Sequence, residues 1–254
     1  MDVVKLYKYL DSKGGLKMLY YRNLQFTNAA RFNDPFDCHP ALFDYSNVPA
    51  TKNNWPPADF LQSKGENDMI NLRNRTWICC LSKVHDSLLM WSYYNSHKGI
   101  CVGLNVEKVL QCCQDMFVGT VPPYAEEVKY KEILPKIDYF KDHPMWNDLL
   151  ATKAKEWEHE KEVRLITQSP GWLNEVRTIP EELKNEESVD VKEIRYYPSL
   201  SADCFESVYL GVNILHADRE KIVKTARKIN PKIKIFQMKL DLEAFQLNEE
   251  LLES

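Results

Sequence analysis

Along this chain the spacing of apolar and polar residues changes often between the period of a strand and that of a helix. Residues 3 to 9 are short, apolar and aromatic and suit a first strand. Asp11 or Ser12 is placed to cap a helix to about Arg22, whose first turn Gly14 and Gly15 weaken. Leu24 to Thr27 alternates as a strand does, and a turn-rich loop follows from Ala30 to Asp37. Residues 44 to 57 carry Pro49, Pro56 and Pro57 and read as an irregular excursion, with a helix over residues 58 to 72. Trp77 to Ser82 and Gly99 to Leu104 are unbroken apolar runs of the length of buried strands. Between them Asp86 is expected to cap a helix through Tyr94.

The second half reads as a helix from Glu107 to Met116, an extended segment over 118 to 130, and a mainly helical stretch over 135 to 160. Strands are expected near 162 to 168, 191 to 197 and 207 to 212. Asp218 opens an amphipathic helix to Asn230, with Ile222, Val223, Ala226 and Ile229 on one face. A strand from Lys232 to Leu240 follows, and residues 241 to 254 read as a frayed acidic tail. About eight strands and about five helices that do not alternate cleanly argue against a Rossmann fold or a barrel. The expected class is α+β: mixed, mostly antiparallel sheets with flanking helices. Residues 1 to 254 are expected to form a single domain without internal repeats.

Composition narrows the function. A hydrophobic content of 44% and an aromatic content of 11% supply a core and exclude global disorder. A net charge of −4 argues against a general nucleic-acid binder, leaving nucleic acid only as a modified target. The seven cysteines are odd in number and show no Cys-x-x-Cys spacing, which suits a reduced intracellular protein. Neither a signal peptide nor an apolar run of about 18 residues is present, so a cytoplasmic protein without membrane contact is expected.

Three clusters carry candidate chemistry. In Arg31-Phe32-Asn33-Asp34-Pro35-Phe36-Asp37, the turn residues fix the backbone. It reads either as a turn anchored by its two phenylalanines or as a polar-ligand loop, Arg31 offering a fork suited to phosphate. In Met90-Trp91-Ser92-Tyr93-Tyr94-Asn95-Ser96-His97-Lys98-Gly99, Trp91 and Tyr94 share a helix face. That face either packs inward or stacks on a flat base, with His97 and Lys98 near its phosphates. In Glu160-Lys161-Glu162-Val163-Arg164-Leu165-Ile166, an extended backbone puts Glu160, Glu162 and Arg164 on one face. Arg164 is then placed to orient Glu162, which reads either as half of a structural ion pair or as a reacting carboxylate. No phosphate-binding glycine loop, nucleophile elbow, His-Glu-x-x-His or kinase signature is present.

Taken in order, these clusters with Leu6-Tyr7-Lys8-Tyr9 and Cys80-Leu81-Ser82 resemble a widespread bacterial family of unknown function, over roughly residues 5 to 215. A more remote similarity is to the mono-ADP-ribosyltransferases, including their DNA-modifying toxin branch. It rests on a short aromatic first strand and a late Glu opening a strand. That similarity implies a related sheet layout and NAD as substrate. Tyr7 or Tyr9 would face the nicotinamide ribose, Ser82 would stand on a middle strand, and Glu162 would be the catalytic carboxylate. The first strand departs from that layout, since its cations are Lys5 and Lys8, with no His or Arg. The expected function is NAD-dependent ADP-ribosyl transfer to a macromolecule without a metal, in a phage-defence or toxin-like role. Two alternatives stay open: a non-catalytic module that binds a nucleotide or protein through Trp91 and Tyr94, and a metal-dependent nuclease using Asp34, Asp37 and Glu162.

Overall fold

The computed structural model describes residues 5–51, 54–94, 96–114, 121–140, 146–168 and 195–252. The first half runs through β1 (Lys5–Leu10), α1 (Ser12–Tyr21), β2 (Phe26–Asn28), β3 (Phe43–Asp44), α2 (Ala58–Arg75) and β4 (Thr76–Ser82). It continues with α3 (Leu88–Tyr93), β5 (Ile100–Asn105), α4 (Val106–Gln114), β6 (Val121–Glu127), β7 (Lys129–Lys131) and β8 (Ile137–Asp138). Next come α5 (Trp146–Leu150), β9 (Thr152–Ala154), β10 (Glu162–Gln168) and β11 (Arg195–Tyr196). The chain closes with β12 (Phe205–Leu210), α6 (His216–Ile229), β13 (Lys234–Leu240) and β14 (Leu247–Leu251).

Ten of these strands form one sheet, in which only β12 and β13 are parallel neighbours. Two small parallel pairs, β3 with β8 and β7 with β9, stand apart from it. The class is therefore α+β with a mostly antiparallel sheet and flanking helices. The apolar runs β4 and β5 are central strands, and every residue of β5 is buried, as a strand covered on both faces requires. Leu104, Phe205, Ile222 and Ala226 belong to one core beneath α1 and α6. Of the predicted face of α6, Ile222 and Ala226 are buried, while Val223 and Ile229 pack against that core. Among the described residues no helix is long and apolar enough to cross a membrane.

One irregularity of the sheet matters most. β10 pairs with β4 along its whole length, from Glu162↔Ser82 to Gln168↔Thr76. The other edge of β4 is divided. β2 takes its start, at Trp77 and Ile78, whereas β1 touches only its end, at Tyr7↔Ser82. Beyond that point β1 and β4 part. Tyr9 and Cys80, which a continued ladder would set opposite each other, line a cavity instead. The Lys8 ammonium reaches across the gap and donates to Cys80 O at 2.9 Å.

Several expectations need correction. The stretch 135 to 160 is not one helical run: among its described residues the five-residue α5 and a 3₁₀ segment over Lys155–Glu160 alternate with β8 and β9. Such short pieces hold only one or two helical or strand periods, too few for pattern to identify them. The supposed acidic tail contains β14, which pairs antiparallel with β13 from Leu240↔Leu247 to Phe236↔Leu251. Its turn is held by Asp241, whose Oδ2 accepts from Gln246 Nε2 at 2.8 Å and Asn248 Nδ2 at 3.0 Å. Ser87 caps α3 in place of Asp86, and α6 starts at His216 before Asp218. Residues 3–4, 52–53, 115–116, 118–120, 141–145, 191–194 and 253–254 of the expected segments lie outside the described residues.

The turn after α3 is wedged against the end of β12. Ser96 and His97 have φ of 50° and 62°, and Asn213 N donates to His97 O at 2.9 Å. A Cβ on Gly211 would lie 2.2 Å from His97 O and 2.9 Å from Gly99 O. Both are backbone atoms, so no side chain can yield. Gly211→Ala is expected to cost about 1–3 kcal/mol, read as a lowered midpoint in urea unfolding. An unchanged midpoint would show that the turn has slack.

Candidate active site

At the parting of β1 and β4 lies a cavity of about 120 Å³. It is lined by Tyr7, Lys8 and Tyr9 of β1, Phe32, Asn33 and Asp37 of the early loop, and Cys80, Leu81 and Ser82 of β4. Met90, Tyr94, Lys153, Glu160 and Glu162 complete the wall. Glu162 opens β10, and its backbone N–H donates to Tyr130 Oη at 2.8 Å. By register Tyr7, Ser82 and Glu162 form one row across three strands, so their side chains leave the same face of the sheet.

The floor is a buried charge network. Arg164 is 0% exposed. Its Nε donates to Glu162 Oε1 at 2.9 Å, and its two terminal nitrogens grip Asp37 at 2.8 and 2.7 Å. It also donates to Leu150 O at 2.7 Å, and its guanidinium carbon lies 5.2 Å from the centre of the Phe32 ring. Lys153 joins the second oxygen of Glu162, at 3.1 Å, to Glu160, at 2.5 Å. A planar fork suits this bidentate task, where a lysine would not.

The two carboxylates titrate apart. Burial alone would push Glu162 up, but Arg164 and Lys153 outweigh it and hold the acid well below the usual carboxylate range. Glu160 moves the other way: burial and the neighbouring Glu162 charge raise it, against the pull of Lys153. The Cys80 thiol is pushed far up by burial and by Glu162, so it stays protonated and unreactive. Glu162 binds its proton less readily in the fold than in the unfolded chain. Its contribution to stability is therefore complete above the ordinary Glu value near about pH 4.3, and is lost as pH falls through its lowered native value. The stability difference between wild type and Glu162→Gln, measured by urea unfolding, is expected to be flat above about pH 5 and to shrink below about pH 4. A difference that instead grows on acidification would contradict the ion pairs.

The structure brings together Tyr7, Tyr9, Asn33, Ser82, Tyr94 and Glu162, with Arg164 beneath them. It does not bring in the others. Arg31 is exposed on a 3₁₀ turn, Ala29–Arg31, away from the lining. Asp34 is buried facing a neighbouring hollow and accepts from Phe36 N at 2.9 Å. Trp91 is fully buried, its Nε1 donating to His85 O at 2.8 Å. Its expected face is thus closed to a base, and it packs edge-on to Tyr9, with centroids 5.4 Å apart. Tyr94 is the open member of that pair and stacks on Tyr9 at 5.8 Å. His97 and Lys98 turn toward α1 and the end of β12, where Lys98 O accepts from Ser12 Oγ at 2.6 Å.

The sequence reading missed Lys8 and Lys153 and left Glu160 and Asp37 outside its site set. Lys153 fell in the stretch misread as helix. Glu160 was expected on one extended face with Glu162, but it lines the cavity from the end of the 3₁₀ segment, with Lys161 after it at a φ of 45°. Asp37 was weighed only as a metal ligand. Among the described residues no three metal-binding side chains converge. Arg164 occupies the position between Asp37 and Glu162 that a shared ion would need, so the nuclease reading loses its ligand set.

The arrangement defines a carboxylate-centred cavity in a divided antiparallel sheet. Residues 90–165 match a family described as protein of unknown function (DUF2971). The match runs from Met90 in α3 to Leu165 in β10, and so takes in Tyr94, Lys153, Glu160, Glu162 and Arg164. It is narrower than the span read from the motifs. No curated protein and no solved structure matches the chain.

Proposed function

We propose that this chain cleaves the nicotinamide–ribose bond of NAD and transfers ADP-ribose to a macromolecular acceptor, with Glu162 as the catalytic carboxylate. The observation that supports this reading is the buried Glu162 at the cavity wall, both oxygens aimed by the cations Arg164 and Lys153. As the bond to nicotinamide breaks, its electron pair leaves with the ring nitrogen and positive charge builds on the sugar. A carboxylate already fixed in place stabilises that charge without reorganising. Glu160, with its raised proton affinity, is placed to take the acceptor's proton as the new bond to the sugar forms. The cavity is smaller than the roughly 300 Å³ of a drug-sized site, so it suits one ring of the substrate, with the rest outside.

Incubation with labelled NAD and cell extract tests this. Released nicotinamide and label on a macromolecule, unaffected by chelator, are expected. No nicotinamide release would remove the proposal. One observation favours a second reading, a non-catalytic module: both Glu162 oxygens are already engaged by cations. That module would bind a nucleotide or protein and leave it unchanged.

A further inference from the structure

Beside the charged cavity lies a second hollow of about 440 Å³, within the roughly 300–1,000 Å³ range of small-molecule sites. We propose that it is the subsite for the planar base of the substrate nucleotide, adenine in NAD; this rests on the reading above. Its wall is apolar and aromatic, with Phe36, Leu42, Ile133 and Trp157. Phe36 is 59% and Ile133 81% exposed, large apolar surface of the kind that marks ligand-binding grooves. Asp34 and Glu156 stand in the same wall as hydrogen-bond acceptors suited to an exocyclic amino group. The remaining acid, Glu132, is neutralised by Lys155.

Lys153 connects the two hollows, lining both. Its ammonium lies 4.9 Å from the centre of the Trp157 ring and 3.1 Å from Glu162. A ligand with a sugar at Glu162 and a ring at Trp157 therefore bends around one lysine head group. Lys131, also in the second wall, adds a cation that suits the phosphates between them. An apolar slot joined by cations to a carboxylate pocket matches the order of parts in a dinucleotide: base, phosphates, reacting sugar.

The test measures binding of NAD, AMP and nicotinamide mononucleotide to wild type, Trp157→Ala and Trp157→Phe, with thermal melts confirming that all three are folded. Base stacking predicts that Trp157→Ala weakens NAD and AMP by about 10-fold or more, while Trp157→Phe retains most of the affinity. The mononucleotide lacks adenine, so its affinity is expected to change less than about twofold. Equal AMP and NAD affinity in wild type and Trp157→Ala, or no AMP binding to wild type, would overturn the subsite. So would a loss shared by all three probes, which would mean that Trp157 acts by holding Lys153. AMP binding through Trp157 without nicotinamide release would keep the subsite and sink the NAD chemistry. Nicotinamide release with an unaltered Trp157→Ala profile would do the reverse.

Discussion

Arg164→Met is expected to destabilise the fold by about 3–5 kcal/mol, because it leaves buried Asp37 without its bonded cation and Glu162 with Lys153 alone. Asp37 and Glu162 are each no more than 3% exposed, and Arg164 supplies both with direct N–H donors. Removing the cation does not return these acids to water; it leaves them in a low-dielectric interior with unmet hydrogen bonds. For a domain of this size each kcal/mol moves the melting temperature by about 2–4 °C, so a fall of about 10 °C is expected. Arg164→Lys is expected to recover only part, since one ammonium cannot grip Asp37 with two parallel bonds and reach Glu162 as well. Adding Asp37→Asn to Arg164→Met is expected to recover part of the stability by removing the unpaired charge. A change below about 1 kcal/mol in Arg164→Met, read by urea unfolding, would mean that the network is solvated and weak.

This network shows how far the sequence could be read. The face shared by Glu162 and Arg164 follows from strand alternation, and their contact was legible as a two-residue step, whereas Glu160, expected on the same face, ends a 3₁₀ segment instead. The partner on the other side of Arg164 was not, because Asp37 lies 127 positions away in a loop whose path no local pattern fixes. Central strands such as β4 and β5 stand out because burial on both faces forces unbroken apolar runs. The parting of β1 from β4 leaves no trace in either strand's pattern, yet it creates the cavity. Trp91 and Tyr94 illustrate the same limit: spacing placed them on one side of a helix, but only packing decided that Trp91 would be enclosed and Tyr94 left open. The β14 hairpin was missed because its strand carries Asn248, Glu249 and Glu250, polar residues that suit an exposed edge and read as tail.

Glu162→Gln is expected to slow nicotinamide release by about 10²–10³-fold, the effect of losing one preorganised electrostatic partner. Gln keeps the shape of the side chain and one acceptor oxygen while removing the charge that the sugar cation needs. Glu162→Ala is the poorer test. It strips Lys153 and Arg164 of their shared acid and confounds lost chemistry with lost stability. The loss is expected in kcat, with KM changed little, because the carboxylate meets a charge that exists only as the bond breaks.

Initial rates of nicotinamide release from NAD, for wild type and Glu162→Gln side by side at a temperature where both are folded, test the central claim most directly. Turnover by wild type that falls about 100-fold or more in the variant is the predicted result. Equal rates in the two proteins, or no release by wild type across a range of acceptors, would contradict it.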